Sequence, residues 1–494
     1  MTFNLTISRS RAAGAAFAGL ILTAIPGVAL GDILNVPGDY PTIQEAVNAA
    51  VAGDEVLIAP GMYVNTAVIT INKAITVRGS GGAAVTTIAT GSAFEGIIDL
   101  SGGPDTVLDG LTISGGSSFF GGIGAVDVSG SPTIMNCTFR DNTMSAIVQS
   151  VTGGMVVSNC QFIDNSDADE VGAALDIRTG TATIIGCTFT GNSARYGGAI
   201  VIGGGAIMDC TFDQNMSTGA NSLLGGGAII TVWPGVASEV LIDNCTFDGN
   251  DSAGTGGAVT TDGANANVTI SDCVFTANSA AMRGGAAFLR GAGVSVESST
   301  FDGNDAATGG GVFLLESATA TGCTFTNNTC LTAGAGLAAE NANATGCNFT
   351  GNQSAGDGGA MHALGTTSVL TICDASGNTA AGVGGGVHVA AGATATIDAL
   401  RLCNNVPDQI NGLVFIAGGL LSCDPTVGAC CLPQGGCVLT TQANCIATGG
   451  TYQGDGTDCG SAGCPEPCSG DVNGDGLVNV TDLLALLAAW GACP

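Results

Sequence analysis

A run of twelve residues near the C-terminus, 471–482, alternates oxygen-bearing side chains with glycine and apolar residues. Oxygen side chains fall at positions 1, 3, 5, 9 and 12 of this run, which are Asp471, Asn473, Asp475, Asn479 and Asp482. Gly476 lies at position 6, where a calcium loop turns sharply, and Leu477 offers its backbone carbonyl at position 7. This is the order of an EF-hand loop with Asp in place of the usual bidentate Glu. We therefore predict a calcium site followed by a short helix; the alternative is a polar turn.

The two histidines of the chain occupy matching positions, since His362 and His388 each lie four residues after the first glycine of a Gly-Gly pair. The same register holds Phe288 and Phe313. Residues on either side of it are mostly apolar, so alternation along a strand predicts that this register faces outward. Two Phe and two His would then form a shallow binding platform for a glycan or a protein. The alternatives are a surface without a ligand and a two-His metal site, for which the sequence shows no third ligand.

Residues for acid–base catalysis are sparse. The chain has one lysine, Lys73, and seven arginines beyond residue 31, most of them in different repeats. The densest carboxylate group is Asp164, Asp167, Asp169, Glu170 and Asp176, on a stretch that is typical of a solvated turn. An enzyme acting on glycans needs two carboxylates, or a base with Asp ligands, on one outer face. The sequence shows no convincing set, so we assign no catalytic residue from it.

The elements that position these residues come from a repeat. Between residues 137 and 378 the unit Cys-x-Phe-x-x-Asn recurs ten times, mostly at a spacing of 23 to 28 residues, with Ser299 replacing one Cys and Ala375 one Phe. A Gly-Gly pair follows most units, and an alternating apolar run precedes the Cys. The Asn residues are Asn142, Asn165, Asn192, Asn215, Asn250, Asn278, Asn304, Asn328, Asn352 and Asn378.

Each unit thus contains about three short strands separated by turns, which predicts one coil of a parallel β-helix. Stacked coils bring equivalent residues into internal ladders with a spacing of about 4.8 Å. We expect Cys and Phe to point inward together, Asn to bond backbone groups at a bend, and the Gly pair to serve another corner. Residues 42–51 predict a helical cap at the N-terminal end, with Thr42 and Glu45 forming a capping box.

Composition limits the partners. The 40 acidic against 10 basic residues give a formal charge of −30, which excludes the basic face that nucleic acids require and disfavours anionic lipid. Residues 1–31 resemble a secretory signal peptide, with Arg9 and Arg11 before an apolar run that is too short to span a bilayer. No later segment predicts a transmembrane helix. We therefore expect a secreted or cell-surface protein.

The 20 cysteines form two populations. Nine lie on the repeat ladder and Cys330 lies off it. Neighbouring ladder residues are close enough to pair, but a column of buried thiols is favoured. Six more lie within 35 residues and predict a three-disulfide module whose connectivity is open among 15 arrangements: Cys430, Cys431, Cys437, Cys445, Cys459 and Cys464. We expect Cys403 to pair with Cys423, and Cys468 and Cys493 to bracket the C-terminal segment.

Three stretches resemble known families. Residues 36–46 read VPGDYPTIQEA, with Gly-Asp at 53–54 and Ala-Pro-Gly at 59–61; they resemble the opening of pectin-lyase-like right-handed β-helix proteins. The Cys-x-Phe-x-x-Asn unit with Gly-Gly-Ala-Ile resembles the repeats of polymorphic outer membrane proteins, which are bacterial surface adhesins. Residues 471–490 resemble one repeat of a type I dockerin, whereas dockerins carry two and dock onto cohesin domains. These resemblances imply the fold, but the fold carries lyases, hydrolases and adhesins alike.

The sequence therefore predicts an all-β right-handed parallel β-helix of about 10–14 coils. Its predicted divisions are a signal peptide (1–31), the β-helix (32–422), a disulfide module (423–467) and a calcium motif (468–494). The expected function is a non-enzymatic structural or adhesive rod that binds a polysaccharide or a surface protein, with a tail for attachment or sorting, including to a cohesin-like partner. The alternative is a polysaccharide lyase or glycoside hydrolase tethered by that tail.

Overall fold

The computed structural model describes residues 31–91, 96–117, 124–150, 152–231, 239–261, 263, 266–371, 373–398, 400–412, 414–416, 420–422, 427–433, 436–457, 459–460 and 462–464. The predicted signal peptide, except for residue 31, lies outside this range, as do the predicted calcium loop at 471–482, Cys423, Cys468 and Cys493. Within the range, no helix is long and apolar enough to cross a lipid bilayer.

The chain winds into a right-handed parallel β-solenoid of about 14 turns, as predicted. Each turn adds one strand to each of three long sheets, and all pairing between turns is parallel. The first sheet contains Ile33–Val36, Glu55–Ile58, Thr76–Gly79, Val107–Asp109, Thr133–Met135, Gly154–Ser158, Thr181–Ile185, Gly205–Met208, Glu239–Asp243, Asn267–Ser271, Gly293–Glu297, Thr319–Thr321, Asn343–Thr345, Ser368–Thr371, Ala395–Asp398 and Val414–Ile416.

The second and third sheets complete the wall. The second contains Ile69–Ile71, Ile98–Leu100, Val126–Val128, Ile147–Gln149, Leu175–Ile177, Ile200–Ile202, Ile229–Thr231, Val259–Thr261, Ala287–Arg290, Val312–Leu315, Leu337–Glu340, Met361–Leu364, Val387–Val389 and Ile410–Asn411. The third contains Gly61–Asn65, Thr86–Thr90, Thr112–Ser114, Thr138–Arg140, Gln161–Ile163, Thr188–Thr190, Thr211–Asp213, Thr246–Asp248, Val274–Thr276, Thr300–Asp302, Thr324–Thr326, Asn348–Thr350, Asp374–Ser376, Leu400–Cys403 and Leu420–Ser422.

A fourth sheet was not predicted. It follows the buried Asn of each turn in the central part of the solenoid, where a small residue such as Ala194, Ser252 or Ala306 is buried between neighbours that are exposed or partly exposed. Cys330, the cysteine off the ladder, occupies this small-residue position and donates to Ser354 Oγ at 3.3 Å. The strands of this sheet are Ser166–Val171, Ser193–Tyr196, Met216–Ser217, Asp251–Ser252, Ser279–Arg283, Asp305–Thr308, Thr329–Ala333, Gln353–Ser354 and Thr379–Ala380.

The repeated Phe residues stack along the core, as predicted. Nine rings from Phe139 to Phe349 lie face to face with centroids 4.6 to 4.9 Å apart, and all are fully buried. Parallel rings at this spacing follow from the pairing of identical residues in register, for example Phe212 with Phe247. Each buried ring removes enough apolar surface to stabilise the fold by about 2–3 kcal/mol.

The repeated Asn residues form a second internal ladder, also as predicted. In Asn250 the side-chain Nδ2 donates to Phe212 O at 3.1 Å and to Asn278 Oδ1 at 2.9 Å, while its own Oδ1 accepts from the backbone N of Asn215 at 3.0 Å. Turn peptides and amide groups buried at this corner are thereby satisfied. The ladder continues one turn beyond the predicted units, because Asn378 Nδ2 donates to Asn405 Oδ1 at 2.9 Å.

The predicted column of buried thiols is confirmed, since all nine ladder cysteines and Cys330 are free and buried. Each ladder Sγ points to backbone oxygens of its own and a neighbouring turn; Cys245 Sγ, for example, lies 3.2 Å from Asp243 O and 3.7 Å from Ile207 O. The hydrogen bond with the Cys160 thiol raises the pKa of Cys187 to about 12, and burial adds to this. The thiols therefore act as small apolar side chains.

Both ends of the solenoid are covered. At the N-terminal end the helix Ile43–Ala49 buries Ile43, Ala46 and Val47, and the Thr42–Glu45 capping box is formed, as predicted. At the other end a three-stranded antiparallel sheet (Val427–Cys431, Cys437–Thr441 and Thr451–Asp455) packs with the helix Gln442–Ala447.

The disulfide module closes the C-terminal end. Its three disulfides join Cys430 to Cys445, Cys431 to Cys464 and Cys437 to Cys459, one of the fifteen arrangements that the sequence left open. Ala429 and Cys437 belong to the same apolar core as Leu402 and Ile410 of the last turns. Cys403 is disulfide-bonded, and its predicted partner Cys423 lies outside the described residues.

Candidate functional site

Open concave surfaces lie along the outer face of the third sheet. Near the N-terminal end a cleft of about 790 Å³ is lined by Thr138, Arg140, Asn159 and Gln161, among others. Near the C-terminal end a smaller one of about 370 Å³ is lined by Asn348, Thr350, Ser376 and the Arg401–Asp374 ion pair, whose Nη1–Oδ2 distance is 2.9 Å. Other concavities lie on the first sheet, about 690 Å³, and on the fourth, about 560 Å³.

Between its two clefts the third sheet presents two regular rows of side chains, which are polar except for Val274. They flank the buried Phe of each strand, so they repeat with the 4.6 to 4.9 Å spacing of the stacked rings. Hydroxyls of successive rungs are in contact, as in Thr246 Oγ1 to Thr211 Oγ1 at 3.3 Å. The row before the Phe is Thr188, Thr211, Thr246, Val274, Thr300, Thr324 and Asn348, and the row after it is Thr190, Asp213, Asp248, Thr276, Asp302, Thr326 and Thr350.

The predicted Phe and His platform is not exposed, so that prediction was wrong. Phe288 is fully buried, Phe313 is 1% exposed and His362 is 7% exposed. Their register does point away from the main core, as alternation requires, and forms small apolar clusters of its own. We call this register of the second sheet the covered stripe; its members are Val201, Ile230, Thr260, Phe288, Phe313, Ala338, His362 and His388.

The cover consists of the fourth-sheet strands and the segments that lead from them to the Gly-Gly pairs. The first glycine of each pair sits directly over the stripe with positive φ, 64° at Gly358 and 66° at Gly384. A Cβ on Gly358 would lie 3.1 Å from that of His362, so only glycine allows this close approach. The guanidinium of Arg283, from the cover, lies 4.9 Å from the Phe313 ring centre. Over the covered stripe, the outer side of the second sheet is therefore packed against protein rather than exposed to solvent.

The two imidazoles meet at the C-terminal end of the stripe. His388 Nδ1 lies 3.0 Å from His362 Nδ1. Asp357 Oδ2 lies 3.7 Å from the same His388 nitrogen, a neighbour that the sequence did not reveal. Burial, and then the charge of His388, lowers the pKa of His362 to about 4, with Asp357 opposing. Burial also lowers the pKa of His388 against the attraction of Asp357 and Asp408, so both rings are neutral at pH 7.

Metal coordination is not supported at this pair. No group of three or more His, Cys, Asp or Glu side chains is arranged to hold a metal ion anywhere in the part of the chain that the structure describes. The predicted calcium ligands, Asp471 to Asp482, lie outside that part, so the calcium site stays a prediction.

Two of the five carboxylates singled out in the sequence, Asp167 and Asp176, make structural contacts. Asp176 is buried and pairs with Arg178, with Arg178 Nε 2.8 Å from Asp176 Oδ1. Asp167 Oδ2 accepts from the backbone N and the hydroxyl of Ser145 at 3.1 and 3.2 Å. Lys73 is also structural, because its Nζ donates to the carbonyls of Val47, Asn48 and Ala50 at the end of the N-terminal helix.

A different carboxylate pair lies on the outer face of the second sheet. Asp99 and Asp127 are register partners on adjacent turns. Burial, and then the charge of Asp99, raises the pKa of Asp127, and Asp127 Oδ1 is buried without a hydrogen-bond partner among the described residues. This pair was not predicted from the sequence, because the turns before residue 137 lack the Cys-x-Phe-x-x-Asn unit that sets the register.

Several solved structures align with this chain at low sequence identity. The A-module of a mannuronan C-5 epimerase from Azotobacter vinelandii aligns at 16% identity over 73% of this chain and 99% of that one, with a TM-score of 0.38. A mannuronic acid specific polysaccharide family 6 lyase from human gut microbiota aligns at 11% identity over 74% and 86%, with a TM-score of 0.35. A rhamnogalacturonan lyase aligns at 13% identity over 66% and 82%, with a TM-score of 0.32. At these values no functional argument rests on the similarities.

No curated protein shows a significant sequence match to this chain. The sequence does match the family described as the right-handed beta helix region, over residues 70–232 and 178–372. Together these ranges span more than half of the chain, and they coincide with the stacked turns seen in the structure. The chain therefore belongs to the right-handed β-helix family.

Proposed function

We propose that this protein is a secreted, non-enzymatic rod that binds a neutral polysaccharide along the outer face of its third sheet. The observation that carries the proposal is the pair of polar rows on that face, which repeat at 4.6 to 4.9 Å and run between two clefts. Hydroxyl, amide and guanidinium groups at a regular spacing can bond successive hydroxyls of an extended sugar chain.

Charge favours a neutral ligand. The chain carries a formal charge of −30, and Asp213, Asp248 and Asp302 lie in the second row of the face. The arginines of both clefts are paired with carboxylates: Arg140 Nε is 2.8 Å from Asp141 Oδ2, and Arg401 pairs with Asp374. An acidic polysaccharide would therefore be repelled by this surface.

Secretion and attachment complete the proposal. Three disulfides in a module with little core of its own support an oxidising, extracellular location. For the tail, the spacing of Asp471, Asn473, Asp475, Asn479 and Asp482 supports calcium binding, and the resemblance to half a dockerin supports docking to a surface or a cohesin-like partner. Calorimetric titration with calcium tests the loop: Asp471→Ala should abolish binding, whereas Asp455→Ala, outside the loop, should leave it unchanged.

The test of the main proposal compares two faces of the rod. Affinity electrophoresis in soluble β-glucan, galactomannan and xylan should show retardation in at least one of them. Arg140→Ala with Gln161→Ala should weaken binding about tenfold, because each lost hydrogen bond contributes about 0.5–1.5 kcal/mol. Thr269→Ala removes a hydroxyl from the first-sheet concavity and should leave binding unchanged. Equal weakening by the control would place the binding surface elsewhere.

The second candidate function is glycoside hydrolysis at Asp99 and Asp127, favoured by their register and by the raised pKa of Asp127. Two neighbouring carboxyl groups, one of them with a raised pKa, can supply an acid and a base or nucleophile. Release of reducing ends that Asp127→Asn abolishes, with the fold intact by circular dichroism, would support it. Binding without any release supports the rod.

A further inference from the structure

The cover closes over a pair of ionisable rings that no other part of the proposed function uses. His362 and His388 end a stripe whose preceding rungs, Phe288, Phe313 and Ala338, are buried and uncharged. The cover above the pair consists of residues 355–358 and 381–384. Two carboxylates, Asp357 and Asp408, hold this part of the cover in place.

We propose that His362 and His388 form an acid-released latch: a hydrogen bond between their Nδ1 atoms accompanies a closed cover, and protonation of both rings opens it. The inference is independent of polysaccharide binding, because it concerns a different sheet. In the closed state one Nδ1–H donates to the other ring's Nδ1 across 3.0 Å. That bond requires at least one neutral ring, since an acceptor nitrogen must be unprotonated.

Asp357 and Asp408 interact with both the cover and the histidine pair. Asp357 Oδ1 accepts from the backbone N of Val383 at 2.9 Å, so it joins the two cover segments to each other. Asp408 Oδ1 accepts from the backbone N of Gly384. The other oxygen of Asp357 faces His388, and Asp408 acts electrostatically on the same ring. The same two carboxylates thus hold the cover and respond to the charge of the histidines.

The charged groups near the two rings are few among the described residues. His362 faces His388 and Asp357, and His388 also faces Asp408. The flanking rungs, Ala338 on one side and Asn411 on the other, carry no charge. One proton on the pair is balanced by the carboxylates. A second proton removes the only acceptor in the Nδ1–Nδ1 bond and places two like charges about 3 Å apart in a partly buried site.

The direction of the pH effect follows from burial. Closure lowers the pKa of His362 to about 4 and lowers that of His388, whereas a solvent-exposed histidine titrates near about 6.5. The open form therefore binds more protons between these values, so closure is complete above about pH 6.5 and is lost progressively as the pH falls toward 4.

The test is amide hydrogen exchange on the full chain at pH 7 and pH 4, with rates corrected for the intrinsic effect of pH. In the unaltered protein the protection of the Val383 and Gly384 amides should fall at least about tenfold, the ratio that corresponds to one pKa unit. The Gly256 amide, at the equivalent position of the cover above Thr260, serves as an internal control and should change less than about twofold.

Two double variants remove the titration of the histidines. His362→Phe with His388→Phe continues the ring stack of Phe288 and Phe313. Burial raises the pKa of Asp408, which accepts from the Gly384 amide, so this variant keeps a carboxylate response, but its loss of protection at Gly384 between pH 7 and pH 4 should be clearly smaller than in the unaltered protein. If that variant fails to fold, His362→Gln with His388→Gln keeps two hydrogen-bonding side chains without a proton to gain and should show the same reduced loss of protection. An equal loss of protection in the unaltered protein and in a folded variant would overturn the latch, as would the absence of loss in the unaltered protein.

Discussion

The core ladders and the covered stripe are both columns of buried side chains, but they are built by opposite rules. In the ladders each turn repeats the same residues, and nine Phe rings stack with little variation. In the stripe each rung differs, passing from Val201 and Ile230 through Phe313 to His388. Identical rungs make a rigid interior, whereas varied rungs under a cover of short strands leave a region whose chemistry can change along the rod.

The largest expected effect comes from removing one ring of the ladder. Phe247→Ala should lower the free energy of unfolding by about 4 kcal/mol, because truncating a buried Phe costs about 3–5 kcal/mol. Phe288→Ala removes an equally buried ring from the stripe, and we expect about 3 kcal/mol because the cover can settle into part of the space. Urea unfolding followed by circular dichroism measures both. A larger loss for Phe288→Ala would contradict an adjustable cover.

Two neighbouring asparagines allow the stability contribution of a ladder residue to be compared with that of a surface residue. Asn328 is fully buried and its Nδ2 donates to Phe301 O and Asn352 Oδ1, both at 2.9 Å. Asn328→Ala should cost about 3 kcal/mol because several buried backbone and side-chain groups lose partners. The exposed Asn327, with φ of 54°, bonds Asp302, and Asn327→Ala should cost about 1 kcal/mol. Similar costs in thermal unfolding would show that the ladder is not a special source of stability.

Acid should affect the stripe before the ladder. The lowered pKa of both histidines contributes stability that is present above about pH 6.5 and lost toward pH 4. Relative to His362→Phe with His388→Phe, the unaltered protein should lose about 2 kcal/mol across this window. Because both proteins carry the same carboxylates, the difference between their pH–stability curves isolates the histidines. If the pH–stability curves of the two proteins are parallel, the histidines of the stripe do not contribute to the loss of stability in acid.

The smallest expected effect concerns Cys330. Ser252 and Ser354 occupy the same position in other turns, so Cys330→Ser should change the free energy of unfolding by less than about 1 kcal/mol. Burial raises the pKa of Cys330 to about 11, and the ladder thiols are also buried. Alkylating reagents should therefore label none of these ten thiols at pH 7 until the chain is unfolded. Labelling of Cys330 in the folded protein, read by mass spectrometry, would indicate that the cover opens there.

Prediction from sequence succeeded where residues repeat in register. Stacking at a fixed spacing makes identical side chains neighbours, so the spacing of Phe and Asn predicted the turns and both ladders. The same reasoning missed Asn405, because Leu400 and Leu402 replace Cys and Phe in its turn. It also missed the fourth sheet, because strands as short as Gln353–Ser354 carry no detectable period.

The candidate sites were harder to predict for a physical reason. Alternation correctly placed Phe288 and His388 outside the main core, but it cannot tell whether solvent or a second layer lies beyond. The paired carboxylates Asp99 and Asp127 depend on register between turns that share no motif. The polar rows on the outer face of the third sheet follow directly from the repeat. The clefts at both ends of that face depend on the three-dimensional structure and could not be predicted from the sequence.

We propose above all that the outer face of the third sheet binds a polysaccharide and that the protein does not cleave it. The most direct measurement incubates the purified protein with soluble neutral polysaccharides and follows binding and new reducing ends in the same samples. We predict binding that Arg140→Ala with Gln161→Ala weakens about tenfold and that Thr269→Ala leaves unchanged. We also predict that no reducing ends are released. Release of reducing ends that Asp127→Asn abolishes would contradict it and identify a hydrolase on the second sheet.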